Sequence, residues 1–324
     1  MVTVPTPAVA GRAAVRTVQG DLAPEALGVC DAHDHLFLRS PRLPGQELTD
    51  PEAAAAELAA FRAAGGGAVI QWTPHGMGRG AEELPRLARD SGVRLVVATG
   101  LHQAVHYAPE VLARVGTDPA GLFVAELTEG IGDTGVRAGM IKVAGGFHGV
   151  DAHARWTMAA AAEAHHATGA VVGVHLEAGT AAEDVVELLC DEHGVPPRRV
   201  ILGHLNRFPD PGMLRRAART GAFLAFDGPS RAHHATDWRL PDALRALADA
   251  GHGAQLLLGG DTTTAAARSV NGGPGMPHLL RRQRHWLAEV LGPELVTRML
   301  TVNPARAFAA VWPSEGGGRR TADG

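Results

Sequence analysis

Eight short apolar runs, each separated from the next by polar or helix-patterned sequence, recur along this 324-residue chain, and that alternation leaves few folds open. The runs centre on Gly28 to His35, Ala68 to Trp72, Arg94 to Gly100, Ala138 to Ala144, Ala170 to Leu176, Arg199 to Leu205, Ala222 to Asp227 and Gln255 to Asp261. Several, such as Val200-Ile201-Leu202 and Leu256-Leu257-Leu258, are apolar at every position, as expected of parallel strands covered on both faces. Helical spacing predicts helices over Pro51 to Ala64, Glu82 to Ser91, Trp156 to Thr168, Ala181 to Glu192, Asp210 to Thr220, Pro241 to Ala250 and His278 to Leu291. Glycines end several of them, as in Ser91-Gly92 and Thr220-Gly221, and a last helix is expected to begin with Asn303 as its N-cap and Pro304 behind it. Eight βα units predict an α/β fold of the (β/α)8 TIM-barrel type. A doubly wound sheet is the alternative, but no GxGxxG fingerprint follows the first strand. One domain is expected over 13–312, with mobile tails at 1–12 and 313–324.

Composition narrows the partners. Charges of both signs are mixed along the chain, the net charge is -4 and aromatic residues make up 4%, so no nucleic-acid surface is expected. No apolar run reaches the roughly 18 residues of a membrane span. Cys30 and Cys190 form no CxxC pair, and no basic, apolar leader opens the chain, which points to a reduced, cytoplasmic protein. The partner expected is a small-molecule substrate, and a homodimer is compatible with the sequence.

Barrel chemistry sits where strands end, so the polar residues at those ends carry the functional reading. The first run ends in Asp31-Ala32-His33-Asp34-His35, the fourth carries Lys142, the fifth ends in His175, the sixth in His204 and the eighth in Asp261. Lys142 is the only lysine beside 29 arginines, and it lies in the apolar run Met140-Ile141-Lys142-Val143. An ammonium is costly to desolvate there, whereas a neutral amine can take up carbon dioxide and become a carboxylate on a long arm. His33 and His35 share one side of a strand and can share one metal. An HxH pair alone is a weak motif, but six donors at equivalent strand ends suffice for two divalent ions. One would be held by His33, His35 and Asp261, the other by His175 and His204, with carbamylated Lys142 bridging.

These residues resemble the phosphotriesterase-like branch of the amidohydrolase superfamily. The resemblance runs from about Val15 to Phe308. It includes Val15-Arg16-Thr17-Val18-Gln19-Gly20, Asp31-Ala32-His33-Asp34-His35-Leu36, Gly139-Met140-Ile141-Lys142-Val143, Val174-His175-Leu176-Glu177-Ala178-Gly179-Thr180, Gly203-His204-Leu205 and Asn303-Pro304-Ala305-Arg306. It implies a binuclear metal barrel with a carboxylated lysine, and the ligand set carries over to His33, His35, Lys142, His175, His204 and Asp261. Zn²⁺ is the expected metal, and Mn²⁺ or Co²⁺ suit the same donors. A hydroxide bridging the ions would be the nucleophile, with Asp261 as proton acceptor and shuttle.

Loops after the strands set specificity. Many lactone-hydrolysing relatives have tyrosine after strand three, whereas this chain has Thr99-Gly100-Leu101-His102, leaving His102 as the candidate donor. Phe226-Asp227-Gly228-Pro229-Ser230-Arg231 and Asn271-Gly272-Gly273-Pro274-Gly275 look like relatives that act on sugar or phosphosugar lactones. Their basic pair after the strand-eight aspartate is Thr262-Thr263-Thr264-Ala265 here, which argues against a phosphorylated substrate. Arg207 and Arg231 are candidates for a substrate carboxylate or hydroxyl, and Trp72, His148 and His233 for pocket contacts. Glu177, just after His175, and Trp72, at the end of the second strand, are candidates either to support the ligands from behind or to form the pocket wall. The expected reaction is hydrolysis of a lactone or carboxylic ester. Amide or N-acyl hydrolysis and organophosphate triester turnover are the alternatives, and a metal-binding barrel without catalysis is the alternative of another class.

Overall fold

All eight runs form strands. The computed structural model describes residues 11–228 and 235–313. The strands are β1 (Cys30–Asp34), β2 (Ala68–Gln71), β3 (Arg94–Gly100), β4 (Met140–Ala144), β5 (Val172–His175), β6 (Val200–Leu202), β7 (Phe223–Asp227) and β8 (Leu256–Gly259). Neighbours pair in parallel in chain order. After β8, the amides of Gly260 and Asp261 both donate to the His33 carbonyl, at 3.0 and 2.9 Å, which brings the last strand against the first and nearly closes the barrel.

Alternation divides the strands between two apolar cores. Ile70, Val96, Ala98, Met140, Ile201, Ala225 and Leu257 fill the barrel, while Val69, Leu95, Val97, Ile141, Val143, Leu256 and Leu258 pack outward beneath the helices. Lys142 shares the inward parity of Met140 and stands one pleat above it. The largest side chain inside is Trp72, which is fully buried and donates from its indole nitrogen to Ala32 O at 2.8 Å. Small residues opposite it make the room. A Cβ on Gly173 would lie 2.6 Å from Met140 Cε and 2.9 Å from the Trp72 ring. Gly173→Val is therefore expected to destabilise the protein by about 1–3 kcal/mol through overpacking, read from the shift of its denaturant midpoint.

The predicted helices are present with small shifts: Pro51–Ala63, Leu84–Ser91, Ala152–Thr168, Pro211–Arg219 and Leu240–Asp249. The segment 152–168 begins earlier than expected because Asp151 caps it, accepting from Ala154 N. Two helices widen into π turns, at Glu187–Glu192 and Leu279–Gln283. The third unit, left without a helix in the sequence reading, contains Pro109–Val115 and Pro119–Thr128. Asn303 is not an N-cap. It lies inside the helix Val302–Phe308, and its amide crosses to the carbonyls of Gly253 and Leu256 at the base of β8.

A small antiparallel sheet, Ala309–Ala310 with Ala14–Thr17 and Gly20–Leu22, closes the end where the strands begin. Of the expected mobile tails, Gly11, Arg12 and Pro313 are described, with Arg12 paired to Glu25, and the rest lies outside the described residues. Among the described residues no helix is long and apolar enough to cross a membrane.

Candidate metal centre

His33, His35, Lys142, His175, His204 and Asp261 line one cavity of ≈ 180 Å³ at the end where the strands finish. Local backbone devices aim them. A register shift in β1 between Asp31 and Asp34 turns the end of that strand, and His33 and His35 then sit with ring centroids 5.5 Å apart. His204 and Asp261 adopt left-handed backbone conformations, with φ of 62° and 54°. Such conformations are costly for residues with a Cβ and collect at functional sites.

His33 and His35 each have one ring nitrogen committed to an outer partner, which leaves the other as a donor. For His35 the hydrogen-bond logic is complete. Thr73 gives its hydroxyl proton to Phe37 O at 2.5 Å, so the same oxygen accepts from His35 Nδ1 at 2.7 Å, and Nε2 keeps its lone pair. Asp227 serves two histidines from below: its Oδ1 is hydrogen-bonded to His33 Nδ1 at 3.0 Å, and its Oδ2 accepts the backbone amide of His204 at 2.9 Å, with the His204 Nδ1 2.7 Å away but without hydrogen-bond geometry. Burial opposes the charge on Asp227, but the imidazoles of His33 and His204 hold its carboxyl well below the usual range. The free Nε2 atoms of His33 and His35 lie 3.7 and 3.5 Å from Asp261 Oδ1. These three residues form a geometric metal-holding group.

The electrostatics suit a metal rather than protons. Burial lowers His35 and His175 to about 4 and pushes His102 and His204 down as well, so these rings are neutral near pH 7 and their lone pairs are available. Burial also takes Lys142 down to about 7, against the pull of Asp261 and Glu177. Burial opposes the charge on Asp261, but the Arg207 guanidinium holds its carboxyl well below the usual range. Among the described residues the donor set therefore fits a divalent ion at His33, His35 and Asp261, and His33, His204 and Asp227 form a second, overlapping group able to hold one.

Two acids that the sequence reading did not assign a role hold this arrangement at the seam. Asp31 Oδ1 accepts from His33 N and Gly260 N, both at 3.1 Å, and Asp34 Oδ1 accepts from His35 N at 2.7 Å and Thr262 N at 2.8 Å. They tie the ligand-bearing end of β1 to the ligand-bearing end of β8. Burial, with each carboxyl beside the other, moves Asp31 well up, and Asp34 rises to about 6, chiefly from burial.

The remaining candidates separate clearly. His102 and Arg207 line the cavity, and an Arg207 amine donates to Asp261 Oδ2. The ring of His102 stacks on His106 at 4.2 Å and meets His175 edge-on at 4.6 Å. His106, not singled out in the sequence, completes that wall and is tied to Ser40 Oγ at 2.9 Å; its position four residues after His102 was the available signal. Trp72 does not line the cavity and takes instead the supporting place the sequence also allows it. It lies below the site, stacked on His33 at 4.0 Å, because the barrel interior is where an indole of its size is accommodated. His148 faces elsewhere too, lining a neighbouring groove with Thr180, Asp184 and Phe208 after its amide bonds Thr180 Oγ1 at 2.8 Å. Arg231 and His233 lie outside the described residues.

Known proteins resemble this chain in sequence and in fold. A phospho-furanose lactonase of Mycoplasmopsis agalactiae is 32% identical over 248 residues, covering 70% of each chain. An N-acetyltaurine hydrolase of Danio rerio is 24% identical over 336 residues, covering 90% of this chain and 94% of its own. The crystal structure of a lactonase from Listeria monocytogenes superposes with a TM-score of 0.84 at 27% identity, covering 91% of this chain and 98% of the other. Residues 13–308 match the phosphotriesterase family along nearly the whole barrel, and the chain belongs to that family.

Proposed function

We propose that this protein is a two-metal hydrolase of lactones or carboxylic esters. The observation that carries the proposal is the convergence of His33, His35, His175, His204, Asp261 and Lys142 on one cavity. His33, His35 and Asp261 would hold one ion and His175 and His204 the other, with carbamylated Lys142 between them. When bound, such a pair of ions supplies an activated water near neutral pH and polarises the oxygen of the bond under attack. The chain's own groups do the rest. Asp261 offers Oδ1 toward His33 and His35, while Oδ2 faces His204 and accepts from Arg207, and its carboxylate would serve as the proton acceptor.

Substrate selection follows from the walls. Leu38, Leu43, Pro74 and Met77 make one side apolar, and Arg207 presents a guanidinium on the polar side. Thr263 lines the strand-eight side where a phosphate would need a cation. Arg268, the next cation along, is turned away onto the carbonyls of Leu36 and Asp50. These features favour a neutral or carboxylate-bearing substrate over a phosphorylated one. N-acyl amide hydrolysis is the second reading, supported by the likeness to the N-acetyltaurine hydrolase and by Arg207 as a receptor for an anionic group.

Turnover should disappear with a chelator and return with Zn²⁺, Mn²⁺ or Co²⁺. Among matched substrates, kcat/KM should be higher for unphosphorylated than for phosphorylated lactones, and Arg207→Ala should raise KM for carboxylate-bearing substrates about tenfold or more. Full activity in metal-free protein would refute the mechanism. A preference for the phosphorylated lactone would refute the substrate assignment, and cleavage of the amide alone would establish the second reading.

A further inference from the structure

The fourth histidine is braced differently from the other three. The rings of His33 and His35 bond Asp227 and Thr73, and Asp227 also takes the backbone amide of His204; both partners are buried, whereas His175 leans on Glu177, whose side chain is 43% exposed and lines the cavity. Glu177 Oε2 lies 3.0 Å from His175 Nε2. The same oxygen receives the Gln103 amide at 3.1 Å, and Gln103 Nε2 also reaches the Gly145 carbonyl at 2.8 Å.

These contacts settle the direction of every proton. A carbonyl only accepts, so the Gln103 atom facing Gly145 is the amide nitrogen, and it donates to both oxygens. Glu177 Oε2 is therefore an acceptor, and the ring nitrogen beside it must carry hydrogen. His175 is thereby held with its proton on Nε2 and its lone pair on Nδ1. Gln103 follows β3, Gly145 follows β4 and Glu177 follows β5, so one hydrogen-bond chain links three loops to one ligand.

We infer that Glu177, held by Gln103, is a positioning residue that presents His175 Nδ1 to the second metal ion and makes that ion's retention depend on the loops at the cavity mouth. This rests on the two-metal reading above. The ion at His33, His35 and Asp261 is braced from inside the barrel and is independent of this clamp. The ion at His175 and His204 is the labile one. An outer partner of a metal-binding histidine typically changes affinity by about 10–100-fold, and that is the size of the effect expected here.

The test counts metal and reads the tautomer. Wild type, Glu177→Ala and Gln103→Ala are loaded with Co²⁺, dialysed against graded competitor, and analysed for bound metal and for the visible absorption of the ions. Glu177→Ala should lose one equivalent at about 10–100-fold lower competitor strength while keeping the other at wild-type affinity, and Gln103→Ala should shift the same equivalent in the same direction. In metal-free wild type, nitrogen-detected NMR should show His175 protonated at Nε2. Unchanged retention of both ions in Glu177→Ala, or an Nδ1-protonated His175 in wild type, would overturn the inference. A wild type that binds fewer than two ions would instead overturn the two-metal reading, and the NMR result would then decide the role of Glu177 by itself.

Discussion

Lys142→Ala is expected to release metal and abolish hydrolysis together, with activity falling by more than about 100-fold, beyond the usual cost of losing an outer-shell partner. The side chain is 3% exposed, lies on the inward face of β4 and lines the cavity that the four histidines share. Arginine at this position should fare no better, since guanidinium keeps its charge and cannot add to carbon dioxide. Short carboxylic acids supplied to Lys142→Ala should restore part of both metal content and turnover by replacing the missing carboxylate. Retention of two ions by the alanine variant would show that the lysine is not their bridge.

The same residue sets a pH dependence for assembly. Only the neutral amine adds to carbon dioxide, losing a proton as the carbamate forms, and burial lowers Lys142 to about 7. Reconstitution from metal-free protein and Zn²⁺ at a constant concentration of dissolved carbon dioxide should therefore accelerate as pH rises through 7 and level off above it. An ordinary lysine would continue to gain up to about 10.5. The sign for stability follows from the same shift. In metal-free protein the unfolded lysine binds its proton below 10.5 while the folded one does so only near 7, so this contribution to stability is lost as pH falls across that interval.

The strands and the six strand-end donors were legible in the sequence because both obey short-range rules: apolar continuity marks a doubly covered strand, and barrel position tells which polar residues reach the mouth. What could not be read depends on contacts between distant segments. Asp31 and Asp34 stand in plain view within the first motif, yet their role is to receive amides from Gly260 and Thr262, more than two hundred residues away. Asp227 was visible as the end of strand seven, but only closure of the barrel places it under both His33 and His204. Asn303 illustrates the opposite failure: Asn-Pro is a good local cap signal, and the tertiary hydrogen bonds to Gly253 and Leu256 prevail over it. Trp72 ends a strand, a position compatible with either a supporting or a wall role, and the glycines at 173 and 203 decide for the first by opening space for it inside the barrel.

Asp261→Asn should lower kcat by roughly 10²–10⁴-fold, the range for removing a positioned general acid or base, with a much smaller change in KM. Its two oxygens divide the work. Oδ1 faces His33 Nε2 and His35 Nε2, and Oδ2 faces the guanidinium of Arg207 and the ring of His204. Asparagine keeps the shape and one oxygen for the metal side but cannot take up a proton. That distinction separates a shuttle from a simple ligand. If Asp261 only holds metal, excess Zn²⁺ should restore most of the asparagine variant's activity. If it accepts the proton, activity stays low with both ions bound, as verified by metal analysis of the same sample. The charge of Arg207 stabilises the carboxylate, and it is also the group a substrate carboxylate would engage. Arg207→Ala should accordingly make Asp261 a better proton acceptor while weakening substrate binding, so kcat for a neutral lactone should hold or rise while KM for an anionic one increases. A parallel fall of kcat for both substrates would show that Arg207 is needed to hold Asp261 in place, and that its grip on Oδ2 is structural.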